Sequence, residues 1–493
     1  MSNNITKLTL SEASALLIKK DLSSEELCRE YINSINEKES TINAYITLTR
    51  EQALDKAKEI DSRRIAGESL SPLAGIPYSL KDNICTKNIP TTCGSKMLES
   101  FVPPYNAEVV DRLNKEEAVL LGKTNMDEFA MGSTTENSYF KITRNPRDTE
   151  RVPGGSSGGS AASVAAEEAV FSLGSDTGGS IRQPSAFCGV VGMKPTYGSV
   201  SRRGLVAFAS SLDQIGPITK NVLDSALVLN TIAGYDKGDS TSVERNYPDY
   251  AQGIYQGVKG MRIGLLKELF QDGVESEIKA SILKAAKTYE ALGAEIVELS
   301  LPNLKHALPA YYIISSAEAS SNLARFDGIR YGHRTEEYED IEELYRKSRG
   351  EGFGPEVKKR IILGTFVLSS EHYDSYYKRA LQVITLIARD FSSAFKKCDI
   401  ILSPTAPTTA YKINKKTENP LKLYMGDIFT APVNIAGIPA LALPCGIDKS
   451  GLPIGMQLIG KAFDESTLYR AGYTFERVIG TFDSIKEKGG PLK

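Results

Sequence analysis

Histidine is scarce in this sequence of 493 residues, which has only 3. They are His306, His333 and His372, so none lies among the first 305 residues, where the glycine-rich segments are concentrated. Catalytic triads that pair serine or cysteine with histidine are therefore poor candidates. A metal site built on imidazole is equally poor, because no HxxxH pair is present, whereas a Mg²⁺ site made of carboxylates alone remains open.

Cysteine is also sparse, and its six copies never form a CxxC pair. A disulfide framework or a zinc ribbon would need clustered cysteines, so neither is indicated. The N-terminal segment lacks the apolar core of a secretory signal. We therefore expect a protein of the reducing cytoplasm.

No sign of charge dominates, since 59 Lys and Arg nearly cancel 61 Asp and Glu and leave a formal net charge of -2. The chain thus lacks the whole-chain basic field that holds nucleic-acid phosphates. The uncharged stretch 428–447 contains Pro432, Pro439 and Pro444, which would break a membrane helix. We interpret it as buried strands and turns and expect no membrane association.

Helix and strand patterns alternate along the chain. Two capping boxes, Thr9 with Glu12 and Ser23 with Glu26, predict helices within residues 1–66. Helix-favouring residues recur at 161–169 and through the charged third between about 259 and 389. Buried strands are predicted at 73–80, ending at Lys81, and at 170–174, 261–265, 294–299, 399–402 and 440–443. No spacer separates these segments, so we favour one large α/β unit over residues 1–493 instead of the roughly three domains that length alone suggests.

The segment Gly122-Lys123-Thr124 follows an apolar run and superficially resembles a phosphate-binding loop. The Walker pattern requires a glycine five residues earlier, where this chain has Glu117. ATP binding here is not indicated, and we interpret the segment as a turn after a strand.

Lysine can act as a base in place of histidine if burial lowers its pKa from about 10.4 towards neutrality. Lys81 is the candidate, because it follows an apolar strand, although Asp82 beside it would tend to keep it charged. The chain also has two serine-rich loops. One, 154–160, reads GGSSGGS and looks like a flexible linker. The other, 175–184, can turn the backbone N–H groups of consecutive residues towards one point beside Ser180 and form an anion-binding nest.

Lys81, the GGSSGGS loop and the segment DTGGSIRQPSAFCGVVGMKPT at 176–196 together resemble the signature of the amidase signature family. The match is specific, because three segments occur in the same order with 75 residues from Lys81 to Ser156 and 24 more to Ser180. The resemblance spans essentially the whole chain. It implies one α/β domain, with a mixed central sheet between helices, N-terminal helices packed on it over 1–66 and a signature core at 73–217.

The resemblance assigns roles to the residues of this signature. It implies that Ser180 is the nucleophile, that Ser156 is a relay held by a cis peptide after Gly155, and that Lys81 is the base. The oxyanion would be held by the backbone N–H groups from Thr177 to Ser180, that is, by Thr177, Gly178 and Gly179 together with Ser180. The resulting activity is the hydrolysis or transfer of amides.

Segments at 91–97, 101–105, 199–217 and 431–440 are similar to family members that release ammonia from glutamine for the amidation of glutamyl-tRNA or aspartyl-tRNA. In those members an arginine binds the α-carboxylate and an aspartate the α-ammonium, which Arg360 and Asp427 match. Tyr311, in preference to Tyr312, is expected beside them, and the resemblance also assigns Met131 and Ser133 to the pocket.

Such members work as heterotrimers with two partners, the B and C subunits. The B partner binds the mischarged tRNA and uses ATP and Mg²⁺, so no cofactor is expected on this chain. Two alternatives remain: a stand-alone amidase of the same family that acts on a small amide, and a non-catalytic scaffold that keeps the fold. Retention of Lys81, Ser156 and Ser180 disfavours the scaffold.

Overall fold

The computed structural model describes residues 2–270, 273–414 and 424–487, and its strands form one mixed sheet. The strands are β1 (Tyr45–Leu48), β2 (Pro77–Lys81), β3 (Val119–Thr124), β4 (Phe171–Asp176), β5 (Val191–Lys194), β6 (Gln214–Thr219), β7 (Arg262–Leu266), β8 (Glu295–Leu299), β9 (Ile400–Pro404), β10 (Ala440–Ile447) and β11 (Pro453–Gly460). Their order across the sheet is β1-β3-β2-β4-β6-β5-β10-β11-β9-β7-β8.

Helices cover the sheet and confirm the predicted α/β class. They are α1 (Leu10–Lys19), α2 (Ser24–Ile42), α3 (Arg50–Ile65), α4 (Glu108–Lys115), α5 (Gly158–Ala165), α6 (Arg182–Cys188), α7 (Val222–Ile232), α8 (Ser276–Ala291), α9 (Ala307–Asn322), α10 (Ile341–Gly352), α11 (Pro355–Leu368), α12 (Lys378–Ala394), α13 (Ala431–Ile435), α14 (Glu465–Ile479) and α15 (Phe482–Glu487). Within the described ranges, no helix combines the length and the apolar character needed to cross a membrane.

The N-terminal helices begin where the sequence predicts. At α1, the Thr9 side chain accepts from the Glu12 amide while the Glu12 carboxylate accepts from the Thr9 amide, which completes the capping box. At α2, Ser23 accepts from the Glu26 amide. Tyr31 of α2 is fully buried in the same apolar core as Tyr78 and Leu80 of β2.

The predicted strands are present, with shifts of a few residues at their ends. Gly122-Lys123-Thr124 lies inside β3 and not in a turn after it, because each of these three residues pairs with both β2 and β1. The stretch 428–447 contains β10, but the short helix α13 also forms there, with Pro432 at one of its first positions, where the missing N–H of proline is harmless.

Three neighbouring strands position the site. β2 lies between β3 and β4 and is parallel to both, so the carboxyl ends of β2 and β4 meet at the same edge. Ligands of α/β proteins bind at that edge. Lys81 is the last residue of β2, and Ser175 and Asp176 end β4.

Candidate active site

Lys81 is fully buried at the end of β2, and its ammonium nitrogen donates to Ser156 Oγ at 2.7 Å. The same nitrogen lies 3.2 Å from the carbonyl oxygen of Ser175. Burial lowers the pKa of Lys81 to about 7, although the carboxylates of Asp127 and Asp176 act in the opposite direction. A neutral amine is therefore accessible near physiological pH.

Asp82, the residue expected to keep Lys81 charged, is engaged elsewhere. Its carboxylate lies 3.5 Å from Lys123 Nζ and accepts from the Thr92 amide at 2.9 Å and from the Thr92 hydroxyl. All three side chains are buried. Asp82 thus serves a separate buried ion pair.

The GGSSGGS loop is fully buried and fixed, in contrast to a linker. The Gly155–Ser156 peptide is cis, and the Ser157 amide donates to the Ser180 carbonyl at 3.1 Å. A Cβ on Gly155 or Gly158 would lie 2.1 Å from the nearest side-chain oxygen, so neither position has room for a methyl group. The loop therefore holds Ser156 against Lys81 and its neighbour Ser157 against the Ser180 loop.

The nest beside Ser180 is organised by Asp176. Its carboxylate accepts from the Gly179 amide at 2.8 Å and pairs with Arg182, whose Nε lies 3.0 Å away. Burial alone would raise the pKa of Asp176, but the guanidinium of Arg182 holds it well below its usual range. Asp176 is thus a fixed anion that orients the loop.

Of the predicted oxyanion donors, Gly179 already gives its N–H to Asp176. The Thr177 hydroxyl donates to buried Asp213 at 2.6 Å, whereas the Thr177 N–H has no partner among the described hydrogen bonds. Gly178 lines the cavity next to Ser180. Neither the Gly178 N–H nor the Ser180 N–H has a partner among the described hydrogen bonds. The geometry therefore leaves the N–H groups of Thr177, Gly178 and Ser180 available as donors and sets Gly179 apart.

A cavity of about 210 Å³ opens onto Ser180. Its walls bring together most of the predicted substrate-binding residues, namely Ser133, Tyr311, Arg360 and Asp427, along with Tyr312. Met131 does not belong to the described lining, because it is fully buried in an apolar core cluster. Met131 therefore contributes to the packing beneath the cavity wall.

Arg360 is 5% exposed, and its guanidinium is only partly satisfied. Nε donates to Glu356 Oε1 at 2.7 Å, and the guanidinium carbon lies 4.6 Å from the centre of the Tyr312 ring. Within the described part of the chain, buried Nη1 has no hydrogen-bond partner. Because buried donors are nearly always paired, this nitrogen is suited to an anionic ligand such as a carboxylate.

Asp427 supplies the opposite charge in the cavity. Its Oδ2 accepts from the Tyr312 hydroxyl at 2.8 Å. Burial raises the pKa of Asp427 to about 7, although the Tyr312 hydrogen bond and the charge of Arg360 favour the ionised form. A bound ammonium group would add to that stabilisation.

The two adjacent tyrosines contact different parts of the site. Tyr312 contacts Asp427 and Arg360, whereas Tyr311 packs on the nest so closely that a Cβ on Gly178 would lie 2.4 Å from its Cζ atom. The resemblance favours Tyr311, but both rings line the cavity. Sequence reasoning missed Glu356, which its spacing of four residues from Arg360 on one helix could have indicated.

The histidines and cysteines lie apart from this cavity. None of the three histidines is in its described lining, and His333 pairs with Glu351 at 2.8 Å. All six cysteines are buried free thiols. Among the residues that the structure describes, no group of three or more His, Cys, Asp or Glu side chains is arranged to hold a metal ion.

Comparisons with known proteins find relatives along nearly the whole chain. The profile of the Amidase family matches residues 26–469. The A subunit of the Glutamyl-tRNA(Gln) amidotransferase of Caldanaerobacter subterraneus subsp. tengcongensis is 59% identical over 470 residues, which cover 95% of this chain and 96% of the relative. Its counterpart from Heliobacterium modesticaldum is 56% identical over 481 residues, covering 98% and 99%.

A solved structure extends the comparison to three dimensions. The crystal structure of the A subunit of Glutamyl-tRNA(Gln) amidotransferase from Thermotoga maritima superposes with a TM-score of 0.80 at 40% identity. The match covers 96% of this chain and 95% of that one. The sheet and its flanking helices are therefore shared along nearly the whole chain.

Proposed function

This chain belongs to the amidase signature family, and we propose that it is the glutamine-hydrolysing subunit of an amidotransferase that acts on aminoacyl-tRNA. One observation carries the proposal: a single cavity contains a serine on an anion-binding nest, an incompletely paired guanidinium and a buried carboxylate. Glutamine offers a matching set of groups, since it has a carboxamide, an α-carboxylate and an α-ammonium.

The first step is attack by Ser180 Oγ on the carboxamide carbon of glutamine. A serine hydroxyl is a weak nucleophile, so its proton passes to Ser156 while Ser156 passes its own proton to neutral Lys81. The bond of 2.7 Å between Lys81 and Ser156 supports the second half of this relay. The loss of a proton from Ser180 is thus balanced by a gain at Lys81.

The second step is the release of ammonia. The oxyanion of the tetrahedral intermediate accepts hydrogen bonds from the nest, each worth roughly 3 to 4 kcal/mol in comparable acyl-transfer sites. The C–N bond then breaks, Lys81 returns its proton through Ser156 to the leaving nitrogen, and a glutamyl ester remains on Ser180. Water hydrolyses the ester to glutamate.

Under this proposal the ammonia is consumed by a partner. The relatives are each the A subunit of a Glutamyl-tRNA(Gln) amidotransferase, which supports a complex of several subunits. We infer a B partner that binds mischarged tRNA and activates its carboxylate with ATP and Mg²⁺, a small C partner that joins the two in a heterotrimer, and a cytoplasmic location. The near-neutral charge of this chain agrees with a tRNA held mainly by its partner.

Glutamine hydrolysis tests the proposal, measured first for this chain, then with candidate B and C subunits, then with ATP and mischarged tRNA. Stepwise stimulation is the expected result. Ser180→Ala should abolish both ammonia release and ester formation, and normal turnover by that variant would end the assignment. Rapid hydrolysis of small uncharged amides, with no effect of partners, would favour the stand-alone amidase instead.

A further inference from the structure

Thr430 is a fully buried residue through which the substrate pocket contacts the nest. Its hydroxyl donates to the carbonyl oxygen of Gly178 at 2.6 Å. Its own carbonyl accepts from Arg182 Nη2 at 3.1 Å. Gly178 and Arg182 both belong to the segment that carries Ser180, so Thr430 is tied to that segment at two points.

The hydroxyl of Thr430 completes a clamp on one peptide plane. The Gly178 carbonyl is held by Thr430, while the Gly179 N–H of the same peptide is held by Asp176 at 2.8 Å. The N–H groups of Gly178 and Ser180 belong to the peptides on either side, so the clamped plane sets the angle between them. Two glycines in succession would otherwise let this plane turn easily, and Gly179 has φ of +135°.

The same threonine closes the turn that carries Asp427. The Thr430 amide donates to the Asp427 carbonyl at 3.2 Å, so the two residues form one tight turn. A displacement of Asp427 is consequently transmitted to the Thr430 hydroxyl and to the Gly178 carbonyl. Gly179 packs directly on the Thr430 side chain, because a Cβ added there would lie 2.3 Å from Thr430 Oγ1.

We propose that Thr430 is a positioning residue that couples occupancy of the Asp427 subsite to the orientation of the Gly178–Gly179 peptide. An α-ammonium bound at Asp427 fixes the turn, and the turn fixes the donors that hold the oxyanion. Glutamine therefore raises kcat through its α-ammonium as well as binding through it. This inference rests on the proposed glutaminase function and adds a source of substrate specificity to it.

The test compares two substrates in the assembled complex: glutamine, and 5-amino-5-oxopentanoate, which is glutamine without the α-amino group. In the wild type we expect a higher kcat for glutamine. Thr430→Val removes the hydroxyl at nearly constant volume and leaves the Gly178 carbonyl without a partner. We expect kcat for glutamine to fall roughly ten-fold or more, and the ratio of the two kcat values to shrink by at least about five-fold, which is within the usual range of coupling between sites.

Three further variants make the result specific. Thr430→Ser keeps the hydroxyl and should retain most of the ratio. Thr405→Val is a matched control, because Thr405 is also fully buried and its hydroxyl has no described hydrogen-bond partner, so both kcat values should stay near wild type. Thermal unfolding checks that Thr430→Val is folded. If it is not, Thr430→Ala removes the same hydroxyl and is tested in its place, with the same expected fall in kcat and in the ratio of the two kcat values.

Equal loss of kcat for both substrates in Thr430→Val would overturn the coupling and leave only a structural role. An unchanged kcat for glutamine would overturn it as well. The proposed function is tested separately, by the wild type. If the wild-type complex does not hydrolyse glutamine, both proposals fail. If it does, and the ratio of the two kcat values is unchanged in Thr430→Val, only the coupling is overturned.

Discussion

Lys123 Nζ lies 3.5 Å from a carboxylate oxygen of Asp82, and neither side chain is exposed to solvent. This pair explains how Lys81 can be neutral next to an aspartate in the sequence. Burial raises the pKa of Asp82 and lowers that of Lys123 in spite of their contact. Burying the two charges therefore costs desolvation free energy, and each charge is stabilised by the other.

Lys123→Met should destabilise the protein, because it leaves the Asp82 carboxyl buried with only Thr92 as partner. Removal of one member of a buried ion pair typically lowers the free energy of unfolding by about 3 to 5 kcal/mol. Chemical denaturation measures the change. The double variant Asp82→Asn with Lys123→Met serves as the control and should recover part of the loss, whereas a single variant as stable as wild type would contradict this account.

Activity should depend on pH through Lys81. The neutral amine is the active form and burial lowers its pKa to about 7, so kcat should fall as pH falls through that value and level off above it. An uncharged small amide is the appropriate substrate, because it makes no use of Asp427. A kcat that is flat between about pH 6 and 8 would argue against Lys81 as the base.

Glutamine binding should depend on pH through Asp427. Its pKa is raised to about 7, so its carboxylate form, which attracts the α-ammonium, grows as pH rises through that value. KM for glutamine should therefore fall with rising pH. Asp427→Asn should have a higher KM that no longer varies in this range, and retention of the pH dependence in that variant would assign it to another group.

Arg360→Ala should change selectivity more than general activity. Loss of a charged hydrogen-bonding partner costs about 1.5 to 3 kcal/mol, so kcat/KM for glutamine should fall roughly ten- to hundred-fold. Hydrolysis of an uncharged amide should change much less. Glu356→Gln is the companion variant, because it weakens the contact that orients Arg360 Nε at 2.7 Å and should give a smaller loss of the same kind. Equal losses for both substrates would argue against carboxylate recognition.

The segments that could be predicted from sequence are those with a local cause. The capping box at Thr9 and the apolar strand before Lys81 depend on residues a few positions apart, and both are present. Strands β1, β5, β6 and β11 are not predicted. β1 pairs with β3 and β6 pairs with β4, partners that lie far along the chain and that a local pattern does not contain. β11 pairs with β10 directly before it, so its absence from the prediction has no such cause.

The candidate site was predictable in its residue types but less so in its contacts. Ser133, Arg360 and Asp427 were assigned by resemblance and share one cavity with Ser180. The hydrogen bond from Tyr312 to Asp427 and the commitment of the Gly179 N–H to Asp176 depend on side chains that only folding brings together. Met131 was also assigned to the pocket by resemblance, but it lies in an apolar core cluster beneath the pocket wall, although its neighbours in sequence line the pocket.

Protein engineers insert runs such as GGSSGGS between fusion partners because the run is expected to have no shape of its own. In this chain the same seven letters are packed on every side, with Gly155 and Gly158 too close to neighbouring oxygens for even one added carbon. Library designs that diversify apparent spacers first would thus begin with the positions that tolerate least. In this loop the residues without a side chain are the most tightly packed. A sequence that looks unspecific therefore contains the positions that accept no other amino acid.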